Sequence, residues 1–249
     1  MYFRRETVKV LPSGELANVQ PYHVCTKGQE DRLIFRDEED LRVAHNLIPV
    51  CARRADVIII AGIVLNTHLH ISVLARSLED ANEFIERYKI SISKFLTGKY
   101  GNGSHINAFR GIDSKPLPLL DNKHVRNTIC YIFRNALDIG ANIDDYRWSS
   151  FRSMFRKGQV YDTTRSVATM TYREKRQILR IDHADADPRW LITEDGVIEP
   201  ASYCDLEYAE GAFDNDQKFF LKVPGFEKGM AHHENFRGPT GPLLRDDKT

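Results

Sequence analysis

Residues 57–75 read Val57-Ile58-Ile59-Ile60-Ala61-Gly62-Ile63-Val64-Leu65-Asn66-Thr67-His68-Leu69-His70-Ile71-Ser72-Val73-Leu74-Ala75. Val57 to Leu65 is apolar and rich in β-branched side chains, the composition of a buried strand. Asn66-Thr67 forms a turn, and His68 to Leu74 alternates as a second strand. Side chains alternate along a strand, so His68 and His70 project from one face. Leu69, Ile71 and Val73 then point to the other face, into a core.

Working outward, residues 21–28 (PYHVCTKG) read as a strand ending at a glycine turn. Asp37-Glu38-Glu39-Asp40 opens a helix, because carboxylates suit the positive end of the helix dipole. Leu41, Ala44, Leu47, Ile48 and Cys51 continue it at helical spacing. Beyond the strand pair, Ser77 caps a helix from about Leu78 to Leu96, which Gly98 and Gly101-Asn102-Gly103 end. Residues 107–114 read as another strand. Pro116 and Pro118 then break the chain before a helix from about Lys123 to Ile139, stopped by Gly140. Strand, helix, strand, strand, helix, strand, helix is the order of an α+β fold, a ferredoxin-like antiparallel sheet with helices on one face.

The character changes after about Lys157. Thr171 and Glu174 form a capping box that opens a short basic helix, TYREKRQIL. Glu194-Asp195-Gly196 marks a turn between Trp190–Ile192 and Val197–Ile198, a small hairpin. From about Gly225 the sequence is polar and lacks apolar periodicity, as in a flexible tail. The expected organisation is a main domain over 1–157, an accessory extension over 158–224 and a tail over 225–249.

Composition narrows the class of protein. Hydrophobic residues make up 42% of the 249, and charged residues 28%, as in a soluble globular chain. Lys plus Arg equals Asp plus Glu at 35 each, so a basic surface for nucleic acid has to be local. Cys25, Cys51, Cys130 and Cys204 show no paired spacing and imply neither a zinc site nor a disulfide framework. Cys51 and Cys130 fall in apolar helical patterns, as small core residues do. The segment MYFRRETVKV lacks the apolar run of a signal peptide, and Val57–Leu65 is too short to cross a bilayer. A cytoplasmic protein with no membrane partner is expected.

Two imidazoles side by side are a platform for a divalent metal, and a third ligand must come from elsewhere. An ordinary amphipathic strand carrying two solvated histidines is the competing explanation. The helix at 123–139 supplies a reason to prefer the metal. Val125, Ile129, Ile132, Ala136 and Ile139 make its apolar stripe. Tyr131 and Asn135 lie beside that stripe, one turn apart. Asn135 can offer an amide oxygen to a cation while Tyr131 presents its hydroxyl next to it. A phenol with a free pKa of about 10 is a weak nucleophile, and a metal-bound phosphate offsets that weakness. The set fits phosphoryl transfer from a DNA backbone. Tyr88 and Tyr100 are rivals for Tyr131. Tyr88 has Ile92 rather than a ligand four residues later, and Tyr100 sits in a glycine loop.

These motifs together resemble the HUH single-tyrosine transposases, the insertion-sequence-200-type family, and within it the branch associated with repetitive extragenic palindromes. The resemblance runs from about Pro21 to Phe155. It is carried by Tyr22-His23-Val24 with Lys27-Gly28, by Ile34-Phe35 with Asp37–Asp40, and by His68-Leu69-His70. Tyr131-Ile132-Phe133-Arg134-Asn135 and Trp148-Ser149-Ser150-Phe151 complete it. The resemblance implies that His68, His70 and Asn135 hold Mg²⁺ or Mn²⁺. It implies that Tyr131 attacks single-stranded or hairpin DNA, leaving a 5′-phosphotyrosine and a free 3′-hydroxyl. Two positions depart from the family pattern. Ala136 stands where proline usually follows the asparagine, and Thr67 separates Asn66 from His68. Arg110, Lys115, Lys123, Arg126 and Arg134 cluster around the tyrosine region and are the candidate DNA contacts. Monomer and homodimer both remain open. The alternatives are a catalytically silent hairpin-DNA-binding protein of the same fold, and an unrelated metal hydrolase, which the absence of H-E-x-x-H disfavours.

Overall fold

A computed structural model describes residues 7–26, 33–101, 109, 114–157, 163–180 and 186–223. Arg110, Lys27 and Gly28, most of the expected strand at 107–114, and the tail over 225–249 lie outside the described residues.

The strand pair that organises the sequence forms the sheet's centre. β1 (Thr7–Val10) and β2 (Leu16–Cys25) make a hairpin, and α1 (Glu38–Arg54) follows. β3 (Ile58–Val64), β4 (Leu69–Ala75), α2 (Leu78–Tyr100), β5 (Leu117–Pro118) and α3 (Asn122–Asp138) complete the main body. β4 lies between β2 and β3 and runs antiparallel to both; β5 and β1 pair with β2 on its far side. The unit β2-α1-β3-β4-α2-β5, with strands in the order β5-β2-β4-β3, is the ferredoxin-like arrangement. His68 lies just before β4, in the turn closed by Leu65 N–H donating to the His68 carbonyl at 2.8 Å. Asn66 anchors that turn. Its carbonyl accepts from Ile34 and Phe35 N–H, and its side-chain amide donates to the Phe35 carbonyl.

The helices begin where acceptor side chains meet orphan amides. Asp37 caps α1 through Asp40 N–H, Ser77 caps α2 through Asp80 N–H, and Asp121 caps α3 through His124 N–H. α2 runs past Gly98 and stops at Gly101, whose φ of 82° suits glycine.

One face of the sheet carries Tyr22, Val24, Ile59, Val64, Leu69, Ile71 and Val73, which share a core with α1 and α2. That is the helical layer the sequence leads one to expect. α3 is the exception. Its Val125, Ile129, Ile132, Phe133 and Ala136 pack with Ala61, Ile63 and Leu65 of the opposite face. Ile139, expected in the apolar stripe, is the cap residue and is 52% exposed.

The segment Trp148-Ser149-Ser150 closes the β3 edge. The Trp148 carbonyl accepts from Val64 N–H, Ser149 bridges to Ile63, and Ser150 Oγ accepts from Gly62 N–H at 2.9 Å. Further along that edge, Asp205 N–H donates to the Ile59 carbonyl. An open edge is a template for unwanted pairing, and these segments occupy it.

The extension contains β6 (Thr164–Ser166), α4 (Tyr172–Glu174), β7 (Leu191–Thr193), α5 (Leu206–Gly211) and α6 (Gln217–Lys222). Thr171 and Glu174 form the capping box seen in the sequence, and a π-helical turn, Lys175–Leu179, follows. The expected hairpin is a bridge between Ile192 and Ile198, and β7 pairs with β6. The extension's apolar residues enter the main core: Val167, Leu179, Trp190 and Ile198 join the α1–α2 layer, and Phe213 and Phe220 join the α3 layer. Among the described residues, no helix is long and apolar enough to cross a membrane.

Candidate functional site

β4 sets the frame of the site. His70 lies opposite Cys25 of β2 and Ile63 of β3, and its side chain faces the layer occupied by α3. The His68 and His70 rings are 4.9 Å apart, centroid to centroid, and nearly perpendicular. The two imidazoles of the H-x-H motif come together, although His68 lies in the turn before β4 and only His70 is on the strand.

The tyrosine helix meets them from the other side. The Tyr131 ring stands edge-on to His70 at 4.9 Å and packs against Leu117 of β5. Tyr131 is 1% exposed, so any phosphate ester attacked by it would need a local opening to reach it. One turn on, Asn135 is also buried. Its side-chain amide donates to the Tyr131 carbonyl at 2.8 Å and to the Ile132 carbonyl at 3.3 Å. Both N–H groups are thus turned toward its own helix, and Oδ1 is turned away from those carbonyls.

A third histidine enters the site. His23 of β2 lies beside His70, its ring nearly parallel at 5.4 Å between centroids, with His23 Nε2 3.3 Å from His70 Nδ1. Its ring also meets Tyr131 edge-on at 6.0 Å. Burial, with a smaller push from the nearby His124, lowers the His23 pKa to about 3, which keeps this imidazole neutral. At the other histidine of the pair, Thr67 Oγ1 lies 2.8 Å from His68 Nδ1. Sequence reasoning missed His23 as a site residue, since a strand register places it beside His70 and no spacing reveals that. Thr67 was visible only as a departure from a pattern.

The candidate DNA contacts are spread. Lys115 and Lys123 are exposed. Arg126 donates to the Ala212 carbonyl and stacks over Phe219, so it faces the extension. Arg134 is 2% exposed, with its guanidinium over the Tyr131 ring at 5.6 Å. A role for Arg134 in touching DNA needs the same opening that Tyr131 needs.

No protein-family model matches this chain, and no curated protein matches it. Among solved structures a likeness is found. It is to a REP-associated tyrosine transposase bound to a REP hairpin, at 16% identity and a TM-score of 0.40, over 65% of this chain and 88% of that one. A likeness of that degree carries no functional assignment, which rests on the site itself.

Two imidazoles and a neutral amide make a mixed nitrogen and oxygen donor set. It suits a borderline-hard divalent ion such as Mn²⁺ and tolerates Mg²⁺. Among the described residues, no three His, Cys, Asp or Glu side chains gather into a metal-binding group. Asn135 is buried on the helix that brings Tyr131 to His70.

Proposed function

We propose that this chain is a transposase-type DNA strand transferase that nicks and rejoins single-stranded DNA through a 5′-phosphotyrosine. The observation that carries the reading is the meeting of Tyr131 with His70, 4.9 Å ring to ring, on elements that are distant in sequence. His68, His70 and Asn135 would hold Mg²⁺ or Mn²⁺. Bound there, the cation would polarise a DNA phosphate and offset the charge that builds on it during attack.

Tyr131 gives up its phenolic proton and its oxygen attacks phosphorus. The Tyr–O–P bond forms and the bond from phosphorus to the 3′-oxygen breaks. That 3′-oxygen takes up a proton and leaves as a hydroxyl. The reverse reaction rejoins a 3′-hydroxyl to the 5′-phosphate and frees the tyrosine. The number of phosphoester bonds is conserved, so no nucleotide cofactor is consumed.

A silent hairpin-DNA-binding protein of the same fold is the second reading, favoured by the burial of Tyr131 at 1% exposure. A denaturing gel separates the two. Full-length protein is incubated with single-stranded hairpin DNA and Mn²⁺. The transferase forms a covalent adduct that Tyr131→Phe lacks. Adduct formation that survives Tyr131→Phe removes the tyrosine assignment. Tight hairpin binding with no adduct for any hairpin, flanking DNA of its own gene included, supports the silent binder.

A further inference from the structure

Each histidine of the H-x-H pair is held at the same ring nitrogen by a different neighbour. Thr67 Oγ1 lies 2.8 Å from His68 Nδ1, and His23 Nε2 lies 3.3 Å from His70 Nδ1. The two neighbours come from unrelated places, a β-turn residue and the adjacent strand β2.

An imidazole that binds a cation through Nε2 must carry its proton on Nδ1. That proton then needs an acceptor, and the acceptor fixes both tautomer and ring rotation. A threonine hydroxyl accepts, and a neutral imidazole accepts through its unprotonated nitrogen. We propose that Thr67 and His23 are positioning residues that lock His68 and His70 in the Nδ1–H tautomer, so that both present Nε2 to one divalent cation. This deepens the metal-dependent reading above and rests on it.

The arrangement gives Thr67 a purpose. Its γ-hydroxyl reaches forward one residue to His68, an act that needs no other element and survives in a turn. His23 works across strands and depends on the β2–β4 register, in which His23 pairs with Ser72 and Cys25 with His70. The His23 and His70 rings are 11° from parallel with centroids 5.4 Å apart, a side-by-side arrangement that keeps the two nitrogens in line. The competing tautomer has His23 donating from Nε2 to His70 Nδ1. It would place the proton of a neutral His70 on Nε2 and block the cation.

The test uses full-length protein with Mn²⁺ alone as the probe. Affinity is read by electron paramagnetic resonance of free Mn²⁺, and tautomers by ¹⁵N chemical shifts of the imidazoles in the metal-free protein. Thr67→Val and His23→Leu keep the volume and remove the acceptor, and each should weaken Mn²⁺ binding by about 10- to 100-fold. Thr67→Ser and His23→Gln restore an acceptor and should recover most of the loss. Both ligand rings of the wild type should show the Nδ1–H pattern, and Thr67→Val should mix the tautomers of His68 while leaving His70 alone. Thr67 lies in a half-exposed turn, so its variants should fold even if those at buried His23 do not. Wild-type affinity in Thr67→Val and His23→Leu, or an Nε2–H tautomer on either ligand of the wild type, overturns the proposal and leaves the metal reading standing. If the wild type binds Mn²⁺ no better than His68→Ala with His70→Ala, the metal reading itself falls, and the proposal falls with it.

Discussion

At the scale of single residues, hydroxyl hydrogen bonds mark two of the tyrosines, Tyr88 and Tyr100, as structural phenols. Tyr88 is fully buried between α1 and α2, where its hydroxyl donates to the Ala44 carbonyl at 3.0 Å. Burial raises its pKa well above the usual 10. Tyr100 donates to Asp40 at 2.8 Å, and burial followed by that carboxylate raises its pKa as well. Both phenols tie α2 to α1. Tyr88→Phe should therefore form the DNA adduct at the wild-type level. It should also lower unfolding stability by about 1 kcal/mol, the worth of one neutral hydrogen bond, as read by urea titration. A lost adduct in a folded Tyr88→Phe would point to the wrong tyrosine. The sequence separates Tyr131 from its rivals through Asn135 four residues on, a pattern of local spacing. The His23 partnership was not legible, because it is set by pairing between residues far apart in the chain.

At the scale of elements, α3 is the part whose position matters most and whose face was least readable. Its apolar stripe identifies a helix that buries one side, yet a stripe says nothing about which sheet face receives it. The answer lies in β3, where Ala61 and Ile63 point away from the α1–α2 layer and offer a second apolar surface. The β1–β2 hairpin was missed for a related reason. Val8 and Val10 are 54% and 62% exposed, so the apolar residues of TVKV face outward and the usual inward alternation is inverted. The turn itself, Leu11 to Glu15 with Gly14 at a φ of 92°, carries an ordinary Pro-Ser-Gly signal. α3 also explains Ala136. The helix continues through Asp138, and Ala136 is buried at 1% exposure within it. Proline there would remove a helix donor and press its ring on the Ile132 carbonyl, which also accepts from Asn135. Ala136→Pro should cost about 3 kcal/mol in this chain, measured by urea unfolding. It should also weaken Mn²⁺ binding, since the Asn135 amide is oriented by that same turn. An unchanged midpoint would mean that the last turn of α3 is already open.

At the scale of the whole molecule, the extension completes the main core and is fixed to it through buried polar groups. Asn46 of α1 donates to the Gly196 carbonyl at 2.7 Å and accepts from Ile198 N–H at 2.8 Å, so one side chain satisfies two backbone groups of the extension's turn. Gly196 has a φ of 83°, and a Cβ there would come within 2.9 Å of the Arg42 side chain and 2.8 Å of Ile178, so the turn needs glycine. Asn46→Ala leaves a buried donor and a buried acceptor unmet and should cost about 2–4 kcal/mol, read as a lower urea midpoint. A neutral result would mean that water replaces the amide. Next to this joint lies His45, 1% exposed, with Nε2 3.3 Å from the Tyr203 hydroxyl and its ring beside Trp148. Burial, aided by the positive charge of Arg152, lowers its pKa from 6.5 to about 4. The folded protein therefore keeps His45 neutral at pH values where the unfolded chain takes up a proton. The sign follows directly: this contribution is complete above pH 6.5 and is lost as pH falls toward 4. A shift of that size corresponds to about 3 kcal/mol. His23 titrates in an overlapping window, so the wild-type slope alone does not isolate His45. The difference between wild type and His45→Gln does. Unfolding free energies measured from pH 7 to pH 4 should fall less steeply in the variant, by about 3 kcal/mol over the interval. Parallel slopes would show that His45 is protonated in the folded protein and that the joint around Tyr203 admits solvent.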